Sequence, residues 1–307
     1  MTTSTPQPTT RTAAARRPEQ ADRPERTGQA GRTAPAVAAA PAYVHGYSPA
    51  EARRLGDQAD ALAELLHLGT AYPPGSRVLE AGCGVGAQTV HLLTSGPDVL
   101  LTAADISADS LALARARVAA HAPGARVDWH HGDLHRLPFP DDSFDHLFVC
   151  FVLEHLADPA AALAALRRVL RPGGSVTVIE GDHGSALFHP HGEAAQRVVD
   201  LLVRLQADGG GDGLLGRRLY PLLTAAGFRD VVVGPRTMYA DGSRPDLAEG
   251  FTRRTFIAMV EAVREDAVGA GLTTAEAFDR GVAELRRAAE PGGTFHYTFF
   301  KAVGVNP

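Results

Sequence analysis

Apolar positions first recur at helical spacing at Leu55, Ala59, Leu62 and Leu65-Leu66, behind a start signal of Ser48 as N-cap, Pro49 at the first helical position and Glu51 three residues on. This predicts a helix ahead of the main fold. Short apolar runs then alternate with helical stretches. Residues 76–80 read as a strand, Gly82 to Gly86 as a tight loop, and Gln88 to Leu93 as the start of a helix. Residues 99–104 form a second strand, and Ser107 caps a helix with Leu111, Ala114 and Val118 on its apolar face. A third strand is expected over 126–130 and a fourth over 144–151, apolar enough to lie centrally in a parallel sheet. Asp158-Pro159 opens a helix with Leu163, Leu166 and Leu170 as its stripe, Arg171-Pro172-Gly173-Gly174 ends it, and 175–180 is the fifth strand. An irregular stretch, a helix around 193–205, a break at Gly209-Gly210-Gly211, a helix over 219–226 and a strand at 231–233 follow. Helices over 245–290, with a capping box at Thr273 to Glu276, precede a final strand at 294–303.

This alternation predicts an α/β fold: a doubly wound, seven-stranded, mostly parallel sheet with the last strand antiparallel, at or beside the edge. Residues 1–41, rich in Thr, Ala, Pro, Arg and Gly and without periodicity, are expected to be a disordered tail. Its arginines weakly favour a transit peptide; its prolines and Glu19, Asp22 and Glu25 oppose one. Residues 42–72 are expected to be an N-terminal helical lid, and 73–307 the main domain, with a helical insertion at about 245–290.

Composition narrows the chemistry. A chain of 307 residues, 45% hydrophobic, can bury a large core. Its net charge of -5 provides no broad basic field, so nucleic acid is not an expected partner and a small molecule is. Cys83 and Cys150 both lie in apolar runs, so they predict buried thiols and a reducing, cytoplasmic setting rather than a disulfide framework. The longest apolar runs fall far short of the roughly 20 residues that span a bilayer, so no membrane partner is expected. A homodimer is left open.

Gly82, Gly84 and Gly86 directly after an apolar strand remove side chains where a ligand approaches the backbone, and the following helix offers free N–H groups. The stretch also satisfies the dinucleotide pattern G-x-G-x-x-A, and Asp105 at the end of the second strand suits a ribose in either case. The loop alone leaves both cofactors open.

Over about residues 76 to 180 the chain resembles the class I, Rossmann-like S-adenosylmethionine-dependent methyltransferases of small-molecule type. Five segments carry the resemblance: Val78 to Gly86, with the acidic Glu80 ahead of the glycines; Asp105-Ile106-Ser107; His131-Gly132-Asp133-Leu134 followed by Leu137-Pro138-Phe139; Asp142-Ser143-Phe144-Asp145; and Arg171-Pro172-Gly173-Gly174. It implies S-adenosyl-L-methionine as cofactor, bound by Glu80, Gly82, Gly84, Gly86, Asp105, Ile106, Asp133, Leu134 and Phe151. Asp105 would hold the ribose, Asp133 and Leu134 the adenine, and the Phe151 region would lie beside the sulfonium.

Loops after the fourth and fifth strands are where an acceptor is expected. His183 is the first candidate for general base, Asp182 could orient it, and His155 is a second candidate. Each has an alternative: a loop histidine satisfied by backbone, a solvated acid, a packing residue. His189 and His191, separated by Pro190, match no strong metal pattern, so no metal is expected. Tyr43 and Tyr47 are candidate substrate-binding residues, or pins for the helix behind them. Phe251, Phe256, Met259 and Val260 read as a core stripe. The expected function is methyl transfer to a small acceptor, of indole, phenol or quinol type, in secondary metabolism. An NAD(P)-dependent oxidoreductase, for which no Tyr-x-x-x-Lys pair is expected, and a non-catalytic cofactor-binding protein stay open as alternatives.

Overall fold

The computed structural model describes residues 49–307. The expectations for the tail at 1–41, for Tyr43 and Tyr47 and for the Ser48 cap lie outside the described residues. Seven strands form one sheet: β1 (Arg77–Ala81), β2 (Leu100–Asp105), β3 (Val127–His131), β4 (Phe144–Cys150), β5 (Leu170–His189), β6 (Arg229–Ala240) and β7 (Thr294–Val305). Their order is β3-β2-β1-β4-β5-β7-β6. β1 to β5 pair in parallel, while β7 runs antiparallel to both β5 and β6 and so lies just inside the edge. The order reverses between β1 and β4, which directs ligands to the carboxyl ends of those strands.

Helices α1 (Pro49–His67), α2 (Ala87–Ser95), α3 (Ala108–His121), α4 (Pro159–Val169), α5 (Glu193–Asp208) and α6 (Leu219–Ala225) cover the sheet, and the insertion adds α7 (Pro245–Leu247), α8 (Ala258–Ala262), α9 (Arg264–Gly269) and α10 (Ala275–Arg286). Their starts follow local chemistry. Ser107 Oγ accepts the Ser110 N–H at 3.1 Å, and Asp158 accepts the Ala161 N–H at 2.9 Å with Pro159 behind it. Ala162, Leu163, Leu166 and Val169 form the buried stripe of α4. No helix among the described residues is long and apolar enough to cross a membrane.

Apolar clusters fill both faces of the sheet. One joins Leu62 and Leu66 of α1 to Phe148, α5 and the insertion. The other joins Leu79, Leu147 and Val149 to α4 and α6. Lys301, on β7, is buried in the first region, and its ammonium donates to the carbonyls of Leu66 (3.2 Å) and Leu68 (2.9 Å) and to Thr70 Oγ1. It thereby satisfies carbonyls that the end of α1 leaves without helical partners.

Three expectations are corrected. α4 ends at Val169, so Leu170 and the Arg171-Pro172-Gly173-Gly174 turn belong to β5. β5 does not stop at Glu180 but continues to His189, because β7 pairs along it from Ser175↔Val305 to His189↔Thr294, with a register shift between Asp182 and Leu187. Thr274, not Thr273, caps α10, accepting the Ala277 N–H at 3.2 Å.

Candidate active site

The glycine loop leaves β1 and enters α2. All three glycines have positive φ: Gly82 at 77°, Gly84 at 52° and Gly86 at 75°. Their reasons differ. A Cβ on Gly82 would lie 2.5 Å from Val152, and one on Gly86 2.9 Å from Ala114, so these two let the loop pack against the β4 turn and α3. A Cβ on Gly84 would meet nothing within 4 Å. Gly84 is thus the glycine that faces open space.

Glu80, on β1 beneath the loop, is buried and accepts the Thr89 hydroxyl at 2.6 Å. Burial pushes its carboxyl up to about 8, against the Thr89 hydrogen bond and with the help of Asp105. A buried acid held protonated beside an open glycine loop suits a ligand bringing a cationic amine. Asp105 accepts the N–H of Gly84 and of Ser107, each at 2.8 Å, one per oxygen, and burial raises its carboxyl. Each oxygen keeps a lone pair for a further donor.

Asp133 caps a short helix (Leu134–Arg136), and its Oδ1 takes both the backbone N–H and Nδ1 of His135 at 2.9 Å. Burial works against ionisation there, but His135 and Arg136 outweigh it and hold the carboxyl below its usual range. Leu134 is buried; the Ile106 carbonyl binds His131 Nε2 at 2.9 Å. Phe151 follows β4 with φ at 57°, its ring centroid 5.6 Å from that of Phe299. These positions line the carboxyl ends of β1, β2, β3 and β4.

On the acceptor side, His183 is not a loop residue. It lies in the extended part of β5, buried, with Nδ1 2.7 Å from the Tyr297 hydroxyl and its ring edge-on to Phe256. Burial, reinforced by Arg54 and opposed by Gln206, lowers its imidazole to about 4, so it is neutral at pH 7. Asp182 does not orient it. Arg217 grips that carboxylate with two hydrogen bonds, at 2.8 and 2.7 Å. His155, in the short helix Leu153–His155, has Nε2 3.4 Å from Glu154 Oε1, and His191 stacks on Phe188.

Tyr297 was missed from sequence, since nothing local marks a strand tyrosine 114 positions away in the chain as the partner of His183. Tyr297 and Lys301 also carry the Tyr-x-x-x-Lys spacing, against the expectation that no such pair exists. On an extended strand, four residues span about 13 Å. The tyrosine points to His183 and the lysine to the end of α1, so the two do not act together.

Residues 79–178 match the family described as "Methyltransferase domain". The chain is 35% identical over 237 residues to an uncharacterized 37.1 kDa protein in transposon TN4556 of Streptomyces fradiae, covering 75% of this chain and 61% of that one. It is 39% identical over 106 residues to the demethylmenaquinone methyltransferase of Clavibacter sepedonicus, covering 34% of this chain and 41% of that enzyme. The chain thus spans less than two thirds of the length of either relative. Its fold is similar to that of the Haemonchus contortus phosphoethanolamine N-methyltransferase 2 crystallised with S-adenosylhomocysteine, with a TM-score of 0.50, 19% identity, and coverage of 82% of this chain and 52% of that one. At that identity the likeness is one of fold.

Proposed function

We propose that this chain, whose residues 79–178 match a methyltransferase domain, is a class I S-adenosylmethionine-dependent methyltransferase that methylates a small molecule whose electron-rich ring bears a hydroxyl, at the carboxyl ends of β4 and β5. The supporting observation is the buried, neutral His183 held by Tyr297, on the strand that flanks the Phe151 turn. The similarity to a demethylmenaquinone methyltransferase favours a phenol- or quinol-type ring, and His183 matches the need to remove a hydroxyl proton.

On the donor side, Gly84 supplies the open backbone, Asp105 the acceptor for ribose hydroxyls, Glu80 the counter-charge for an amine, and Asp133 with Leu134 the adenine end. Ile106, Gly82, Gly86 and Phe151 shape the walls between them. When bound, S-adenosylmethionine supplies an electrophilic methyl group. The chain's own task is to place the acceptor in line with it and take the acceptor's proton. Tyr297 fixes the His183 ring through Nδ1; the tautomer in which Nδ1–H donates to the Tyr297 oxygen leaves the Nε2 lone pair to receive the proton. α1 serves as a lid.

His183→Asn keeps the size and polarity of the side chain but cannot accept a proton. It should lower kcat by about 10²- to 10⁴-fold while leaving S-adenosylhomocysteine binding intact. Labelled S-adenosylmethionine incubated with a metabolite extract provides the assay; a fully active His183→Asn variant removes the base assignment, and absence of any labelled product removes the methyl-transfer reading. Because His183 is held at about 4, the acid limb of kcat/KM belongs below the ordinary imidazole range.

A further inference from the structure

Behind the Phe151 turn, two acids lie close together with no role in the chemistry above. Glu180 Oε1 accepts the backbone N–H groups of Val152 (3.1 Å) and Leu153 (2.8 Å), while its Oε2 is buried without a partner. Glu154 has His155 beside Oε1, and its Oε2 is likewise buried and unpartnered. Gln206, fully buried on α5, donates through Nε2 to the Glu154 carbonyl at 3.3 Å. Its Oε1 lies beside the His183 ring, the two flanking Gly213, and forms no well-aligned hydrogen bond. All three open atoms are acceptors. A buried acceptor left unpaired costs about 1–3 kcal/mol, so the site calls for a ligand that brings donors.

Charge points the same way. Asp182 is matched by Arg217 and Asp212 by Arg218. Among the described residues, the permanent cation acting on this acid pair is Arg54 of α1, which faces Glu154 and also donates to Gln58. Burial still pushes Glu154 up to about 7 despite Arg54, and burial together with Glu154 pushes Glu180 well above its usual range. One positive charge is short, and a proton takes its place.

We propose that Glu154, Glu180 and Gln206 form an amine pocket at the acceptor site, so that the molecule methylated carries a basic aliphatic amine, bound as its ammonium, besides the ring that receives the methyl. A primary ammonium brings three N–H donors and one positive charge, which match three open acceptors and one missing charge. The assignment rests on the methyl-transfer reading and specifies the class of its acceptor: a hydroxylated arylalkylamine.

The probes are tyramine and 4-ethylphenol, which differ chiefly by the amine, titrated calorimetrically at pH 7 into the full chain saturated with S-adenosylhomocysteine. Tyramine should bind at least about tenfold more tightly. Its heat should depend on the buffer's ionisation enthalpy, because the ammonium displaces the proton held by the acid pair. Glu154→Gln with Glu180→Gln keeps the shape of both side chains and an oxygen for the Val152 and Leu153 N–H groups; it should erase the preference. Glu154→Gln alone should weaken it if the double variant does not fold. Equal affinities, no binding of either probe, or a preference that survives in the variants overturns the pocket. Failure of the wider reading shows separately, as loss of S-adenosylhomocysteine binding itself or of labelled product from extract.

Discussion

At the scale of single residues, the glycine loop separates packing from binding. Gly82→Ala must displace Val152 and hold a side chain at φ 77°, so it should lower the melting temperature. Gly84→Ala meets no neighbour and should fold at a backbone cost of about 1–2 kcal/mol, but its methyl group projects into the open space and should weaken S-adenosylhomocysteine about tenfold or more by calorimetry. Equal affinity in Gly84→Ala would show that the ligand does not approach there. Glu80 gives a second test. Its carboxyl, held at about 8, ionises when a cationic amine arrives, so S-adenosylhomocysteine binding at pH 7 should release up to about one proton. A binding heat independent of buffer would contradict this.

Among elements, the end of α1 has its free carbonyls satisfied by Lys301 of β7. Lys301→Met keeps the length of the side chain but strips the donors from the Leu66 and Leu68 carbonyls. Leaving those carbonyls unpaired should cost about 1–3 kcal/mol, and hydrogen exchange in α1 should quicken while β4 and β5 stay protected. Equal protection across α1 and the sheet would mean that apolar packing of Leu62 and Leu66 alone holds the helix. The capped helices α3 and α4 were legible because Ser107 and Asp158-Pro159 are local signals. The length of β5 was not: residues 181–189 contain Gly181, Gly184 and Ser185 and end at His189 before Pro190, which read as loop until β7 pairs with them.

For the whole molecule, buried titratable groups pull stability in opposite directions with pH. His67, stacked on Phe148 and bound to Gln88, is lowered by burial to about 4, as His183 is. The unfolded chain takes up these protons first, so both contributions are intact above about 6.5 and are lost as pH falls toward 4. Glu80 has the opposite sign. Its folded value of about 8 lies above its ordinary one, so its contribution is intact below about 4.5 and is lost as pH rises toward 8. Melting temperatures of the wild type and Glu80→Gln, measured from pH 4.5 to 8, should shift steadily in favour of the variant; a constant difference would show that Glu80 is ionised in the folded protein.

By itself, the sequence determined the strand and helix order and the Ser107 and Asp158 caps, and it displayed the segments from Glu80 to Asp133 that we propose for the donor, because periodicity, capping and tight-turn chemistry act between residues a few positions apart. The tertiary structure decided what those motifs could not. It brought Tyr297 to His183 across 114 residues, turned Asp182 away to Arg217, and gathered Glu154, Glu180 and Gln206 behind one turn. Such pairings depend on which strands lie side by side and on how deeply each group is buried, and neither is encoded by spacing along the chain.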